Sequence, residues 1–211
     1  LLYNESDLVP IHQNKVFVHY TGDQLELRRK VREGMCGILI QDMYFGGGLD
    51  VSLQVNYAKK LPRWYLDGMI SFAGSEWNAD KDNAFRKYYE EKGELNFKKM
   101  SRDYPVLAGH SFWYYLASTY SKNVIPNLLY LTKINRDLED AFDFVFGVEL
   151  DQMIVQWQRF FESIYAAGEK DRIVPEPESR WKLWKRGRAQ VTNGEYSPGG
   201  ERLAYAINFQ G

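Results

Sequence analysis

Apolar and polar positions along the chain change period several times, and each change marks an element. Lys15-Val16-Phe17-Val18-His19-Tyr20 alternates and is rich in β-branched and aromatic residues, which predicts a strand closed by Thr21-Gly22-Asp23, with His19 a structural residue on one face. From Gln24 to Tyr44 the period becomes helical. Leu27, Val31, Met35, Ile38 and Leu39 form the expected buried stripe, and Gly46-Gly47-Gly48 ends the helix. That triple glycine precedes no helix opening with Lys and Ser/Thr, so it reads as a terminating loop, not a phosphate cradle.

Leu53 to Lys60 is ambiguous between helix and extended chain. Pro62 can open a helix carrying Tyr65, Leu66, Met69, Ile70 and Phe72. Asp80 to Glu91 is a charged helix with Phe85, Tyr88 and Tyr89, its charge run read as a solvated face. Further helices are expected from Ala108 to about Ser121, from Val124 to Ile134 with Pro126 in the first turn, and from Asp137 through Phe146. Asp137 with Asp140 three residues later is an N-terminal capping signal, and Gly147 stops that helix. The last helix, Leu150 to Tyr165, carries Met153, Trp157, Phe160, Phe161 and Ile164 at helical spacing.

The segment from 168 to 179 is charged and contains Pro175 and Pro177, the composition of a linker. Beyond it the chain turns β-like, with Ser197-Pro198-Gly199-Gly200 as a turn between alternating runs.

The 211 residues suit one domain plus an appendage, and a net charge of −1 implies no general attraction to nucleic acid or anionic membrane. Trp181-Lys182-Leu183-Trp184-Lys185-Arg186 mixes bases and rings but reads as a junction after the linker rather than a nucleic-acid site. No apolar run is long enough to span a membrane. One cysteine excludes an internal disulfide. Aromatic residues make up 16% of the chain, which favours large helix-packing interfaces. The chain begins Leu1-Leu2-Tyr3 without an initiator methionine, so a processed or truncated segment is expected.

Three groups of residues carry a resemblance. Pro62-Arg63-Trp64-Tyr65-Leu66-Asp67-Gly68 is similar to the W-x-x-E-G segment of gluzincin (peptidase MA-like) metallopeptidases, whose glutamate is the third zinc ligand. Upstream, Val31-Arg32-Glu33-Gly34-Met35-Cys36 stands where H-E-x-x-H would supply two ligands and a general base. Gly109-His110-Ser111-Phe112-Trp113-Tyr114-Tyr115-Leu116, a short helix ending in Phe146-Gly147 and a tryptophan-bearing last helix match the close of that fold, so the resemblance runs from about Lys15 to Tyr165. Residues 189–206 resemble the opening of a TolB-like propeller blade, with glycine for the usual aspartate at Gly199.

The resemblance implies an α+β, mainly helical, zincin-like domain over 1–168 with a small N-terminal strand region. A linker over 169–180 follows, then a C-terminal β-hairpin in 181–211 that begins a propeller continuing after Gly211. It implies that Arg32, Glu33, Cys36 and Asp67 are the former zinc-site positions, with Trp64, Tyr65 and His110 as candidate cleft-lining residues. Trp64 and Tyr65 taken as side chains read better as core. A catalytic zinc needs three protein ligands, two from helix positions i and i+4, and arginine repels a dication. The expected state is therefore catalytically inactive, with no metal and no cofactor, an Arg32–Asp67 or Arg32–Glu33 ion pair replacing the zinc bridge. The expected role is an interaction or scaffold module of a Bacteroidetes-type exported protein, in the periplasm or at the outer membrane, binding a protein or peptidoglycan-associated partner. The rival is a working hydrolase, either a zinc peptidase with unusual ligands or a cysteine enzyme pairing Cys36 with His110.

Overall fold

The computed structural model describes Val9 and residues 11–12, 15–45, 60–170, 190–199 and 201–208. The chain divides into two compact units, Leu1–Ala167 and Gly168–Gly211.

Mainly helical, the first unit opens with an antiparallel hairpin of β1 (Ile11–His12) and β2 (Lys15–Val16). Helices α1 (Gln24–Phe45), α2 (Arg63–Gly74), α3 (Ala79–Lys92), α4 (Phe97–Asp103), α5 (Pro105–Tyr120), α6 (Val124–Asn135), α7 (Leu138–Phe146) and α8 (Leu150–Lys170) follow. The strand expected over 15–20 is confined to Lys15–Val16, and Phe17 stands exposed. The ambiguous run over 53–59 and the glycines at 46–48 lie outside the described residues, as does the tryptophan-rich junction over 181–186.

Helix α5 is the centre. From Pro105 to Trp113 every residue is buried, because α2, α4, α6 and α8 pack round it. It crosses α2 at two glycines: a Cβ on Gly109 would lie 2.7 Å from Gly68 Cα and closer still to the Trp64 carbonyl oxygen. Contact of backbone on backbone positions rings at either side. Trp64 meets Phe97 and Phe112 edge-on, and the Trp113 indole donates to the Tyr65 carbonyl at 2.9 Å. Trp157 of α8 reaches α5 by donating to Ser111 Oγ at 3.1 Å. Aromatic pairs at such edge-to-face and offset angles add to the burial of their area, which accounts for a core dominated by rings.

Local signals set the helix ends. Asn78 and Asn96 cap α3 and α4 by accepting from Lys81 N and Lys99 N, and Asp137 caps α7 by accepting from Glu139 N and Asp140 N. Gly93 and Gly147 close α3 and α7 in the left-handed conformation that glycine adopts without steric cost. Pro105 opens α5 three residues earlier than the expected start at Ala108, and the short α4 before it has no counterpart among the expected elements.

Helix α1 packs on a different face from the one its apolar period suggests. Met35 and Leu39 are 61% and 68% exposed, and Val31 is exposed with them. The buried side is Glu33, Gly34, Gly37, Ile40 and Tyr44. Gly34 fits against Val16 with no room for a Cβ, and Gly74 of α2 fits against Glu33 in the same way. Close approach through small residues has overridden the hydrophobic stripe.

The second unit is an antiparallel hairpin of β3 (Gln190–Tyr196) and β4 (Leu203–Asn208), with an irregularity between Thr192 and Gly194. Ser197 N donates to the Arg202 carbonyl and Arg202 N donates back to Ser197 Oγ, closing the Ser-Pro-Gly turn.

Candidate functional site

Helices α1 and α2 run antiparallel. Glu33 packs against Gly74 at one end of the pair, and at the other Tyr44 and Tyr65 both reach α6, donating to the Leu129 carbonyl and to Thr132 Oγ1 at 2.9 Å. This register places the residues singled out by sequence. Glu33 is 1% exposed, its carboxylate accepting from Arg29 Nη1 at 2.8 Å. Asp67 lies seven residues before Gly74, about two helical turns or roughly 10 Å from Glu33 along the pair. It accepts from Arg63 Nε at 3.0 Å on the partly exposed side of α2. Glu33 and Asp67 lie on paired helices but do not converge on one point.

The expected Arg32–Asp67 and Arg32–Glu33 pairs do not form, since Arg63 and Arg29, each one turn earlier on the same helix as its acid, take those carboxylates. Arg32 is exposed and joins no ion pair among the described residues. Cys36 is half-buried against the core, and burial pushes its thiol up to about 11.

Trp64, Tyr65 and His110 are core residues and do not line a groove beside Glu33. Trp64 borders a separate cavity of about 660 Å3 together with Lys60, Phe97 and Arg136. Tyr65 is fully buried. His110 pairs with Ser71 Oγ through Nδ1 at 2.9 Å, not with Cys36. Its Nε2 has no hydrogen-bond partner among the described residues. Burial, with the Lys81 ammonium adding to it, holds the imidazole well below its ordinary range, so the ring is neutral.

Two adjoining cavities open beside the C-terminal end of α2, and neither was visible as a motif. The first, about 530 Å3, is walled by Phe72, Ala73, Trp77, Tyr114 and Ala117, with Arg32, Ser75, Glu76 and Lys122 also lining it. The second, about 630 Å3, shares Arg32, Ser75 and Glu76 and continues past Arg28, Arg29 and Lys81. Arg32 thus borders both. The rings of the first cavity are held in place: Trp77 stacks on Tyr114 at 5.3 Å and donates through Nε1 to Asp82 at 3.2 Å. Behind Ser75, Lys81 is 4% exposed and donates through Nζ to Ser75 Oγ at 2.7 Å. Burial first, and then Arg29, lowers its pKa, while Glu33 acts in the opposite direction.

The charged run of α3, expected to be a solvated face, therefore turns its first lysine inward. The available signal was Asn78, an N-terminal cap that fixes where the helix begins and hence which way Lys81 faces.

Among the described residues, no three His, Cys, Asp or Glu side chains gather into a group that could hold a metal ion, and no helix is long and apolar enough to cross a membrane. No protein-family model, no curated protein and no solved structure matches the chain.

Proposed function

We propose that the first unit is a peptidase-like interaction module without catalytic activity. It uses the groove beside α1 and α2 to hold a protein or peptidoglycan-associated partner in the cell envelope, and is followed along the chain by a propeller that the C-terminal hairpin begins. The observation that carries this reading is the pair Arg32 and Cys36 where the gluzincin-like motif places its histidines. One is a permanent cation on the exposed side of α1. The other is a thiol protonated at neutral pH. Glu33, at the general-base position, is packed under Gly74 and bound to Arg29, and a base so placed is closed off from bulk water.

The hydrolase reading needs a thiolate at Cys36 or a third zinc ligand beside Cys36 and Asp67. Burial keeps the Cys36 thiol protonated at neutral pH, Ser71 engages His110, and among the described residues no third His, Cys, Asp or Glu joins Cys36 and Asp67.

We expect the purified chain, dialysed without chelator, to hold no stoichiometric zinc and to cleave no peptide in a mixed-substrate assay. About one zinc per chain, lost on Cys36→Ala or Asp67→Ala, would overturn the reading.

A further inference from the structure

We propose that the ring-walled cavity at the end of α2 is a site for the C-terminal residue of a peptide. An aromatic or large aliphatic last side chain enters between Phe72, Trp77 and Tyr114, and the α-carboxylate lies on Arg32 and Ser75. This rests on the interaction-module reading and names the ligand chemistry for that groove.

A space of 530 Å3 is of the size that small ligands occupy. Such a volume is about 10 Å across, so the cation at its rim and the rings on its wall lie within the reach of one residue. The rings are preformed, since Trp77 is fixed both by its stack on Tyr114 and by its bond to Asp82. Ala73 and Ala117 leave the space between them.

The charges select an anion. Lys122 faces Glu76 at 3.7 Å, which neutralises that side of the rim. Arg32 carries a guanidinium that is in no ion pair among the described residues, and its planar fork matches a carboxylate. Ser75 is already oriented to help. Its oxygen accepts from the buried Lys81 ammonium, so its own hydrogen is left to donate. Lys81 thereby makes the hydroxyl a stronger donor toward a second acceptor. A carboxylate attached to the residue whose side chain fills the cavity satisfies both donors at once. An amidated end lacks the negative charge and loses the pairing with Arg32.

The test uses the full 211-residue chain and hexapeptides with randomised last three residues, one library with free carboxylates and one amidated. The best binders are then measured by calorimetry. We expect enrichment of Phe, Tyr, Trp or Leu at the last position, and a free acid that binds at least about tenfold more tightly than its amide. Arg32→Gln, at an exposed position, should lower the affinity of the free acid to that of the amide. Ala117→Phe, which fills the cavity from its wall, should abolish binding, with circular dichroism showing both variants folded. No enrichment, equal binding of acid and amide, or an unchanged affinity in Arg32→Gln would each overturn the proposal. Selected peptides recovered intact support the site and the module reading together. Recovered cleaved, they support the site while overturning the claim that the module is inactive.

Discussion

His110 and Cys36 are two ionisable side chains that the fold has moved away from water, and each has a measurable consequence. The His110 ring is neutral because burial, and then Lys81, disfavour its proton. Its folded pKa is depressed below the unfolded value, so the unfolded chain binds a proton that the folded chain refuses as pH drops below about 6.5. Stability should be at its full value above that pH and decline steadily below it. Urea midpoints of the wild type and His110→Gln from pH 7.5 to 4.5 measure this. The variant should show a shallower fall over pH 6.5 to 5, whatever its stability at neutral pH. Cys36 at about 11 is only about one part in a thousand ionised at pH 8. Its reaction with a disulfide reagent should therefore be more than tenfold faster in denaturant than in buffer, and equal rates would place the thiol in an environment other than the one described. The short list Arg32, Glu33, Cys36 and Asp67 came from the resemblance to the gluzincin motif, not from the chemistry of those residues. Helical spacing left Glu33 a choice between Arg29 and Lys30, one turn earlier, whereas Arg63 is the one cation a turn away from Asp67, so that pair was legible.

At the scale of elements, helix existence was plain in the sequence and helix facing was not. The period of Val31, Met35 and Leu39 predicts α1 correctly but gives it the wrong buried side. What decides the facing is how closely two backbones can approach, and that is set by glycines, which a hydrophobic pattern does not weigh. Gly34 makes room for the Val16 side chain and Gly74 for that of Glu33, while Gly68 and Gly109 bring backbone onto backbone. The last is the most constrained, since what a Cβ would meet is main chain that cannot swing aside. Gly109→Ala should therefore cost about 3 kcal/mol, as overpacking does in a rigid core. Asp137→Ala removes a cap at an exposed helix start and should cost only about 1 kcal/mol. Chemical denaturation of the two variants side by side checks the ranking. A milder loss at Gly109 would mean that α2 and α5 can slide apart. The break between α4 and α5 at Tyr104 was illegible for a related reason. Met100 and Leu107 lie on either side of the break and are both buried, so the apolar pattern carries across the bend without a gap.

At the scale of the whole molecule, the chain separates into Leu1–Ala167 and a unit containing the β3–β4 hairpin. A two-stranded hairpin is marginal by itself in water, whereas the helical unit has its own core. Ending the chain after Gly168 should leave a single cooperative thermal transition with a small shift in midpoint, and loss of cooperativity would make the tail part of the first unit's core. The position of α5 has a further consequence. A helix wrapped by protein along its whole first half cannot lose its amide protons to solvent by fraying or by local bending. In deuterium exchange, the amides from Ala108 to Trp113 should be the slowest in the chain, and the free energy they report should equal that of complete unfolding of the helical unit. The amides on the outward side of α1, around Met35 and Leu39, should exchange sooner, through openings that leave the centre intact.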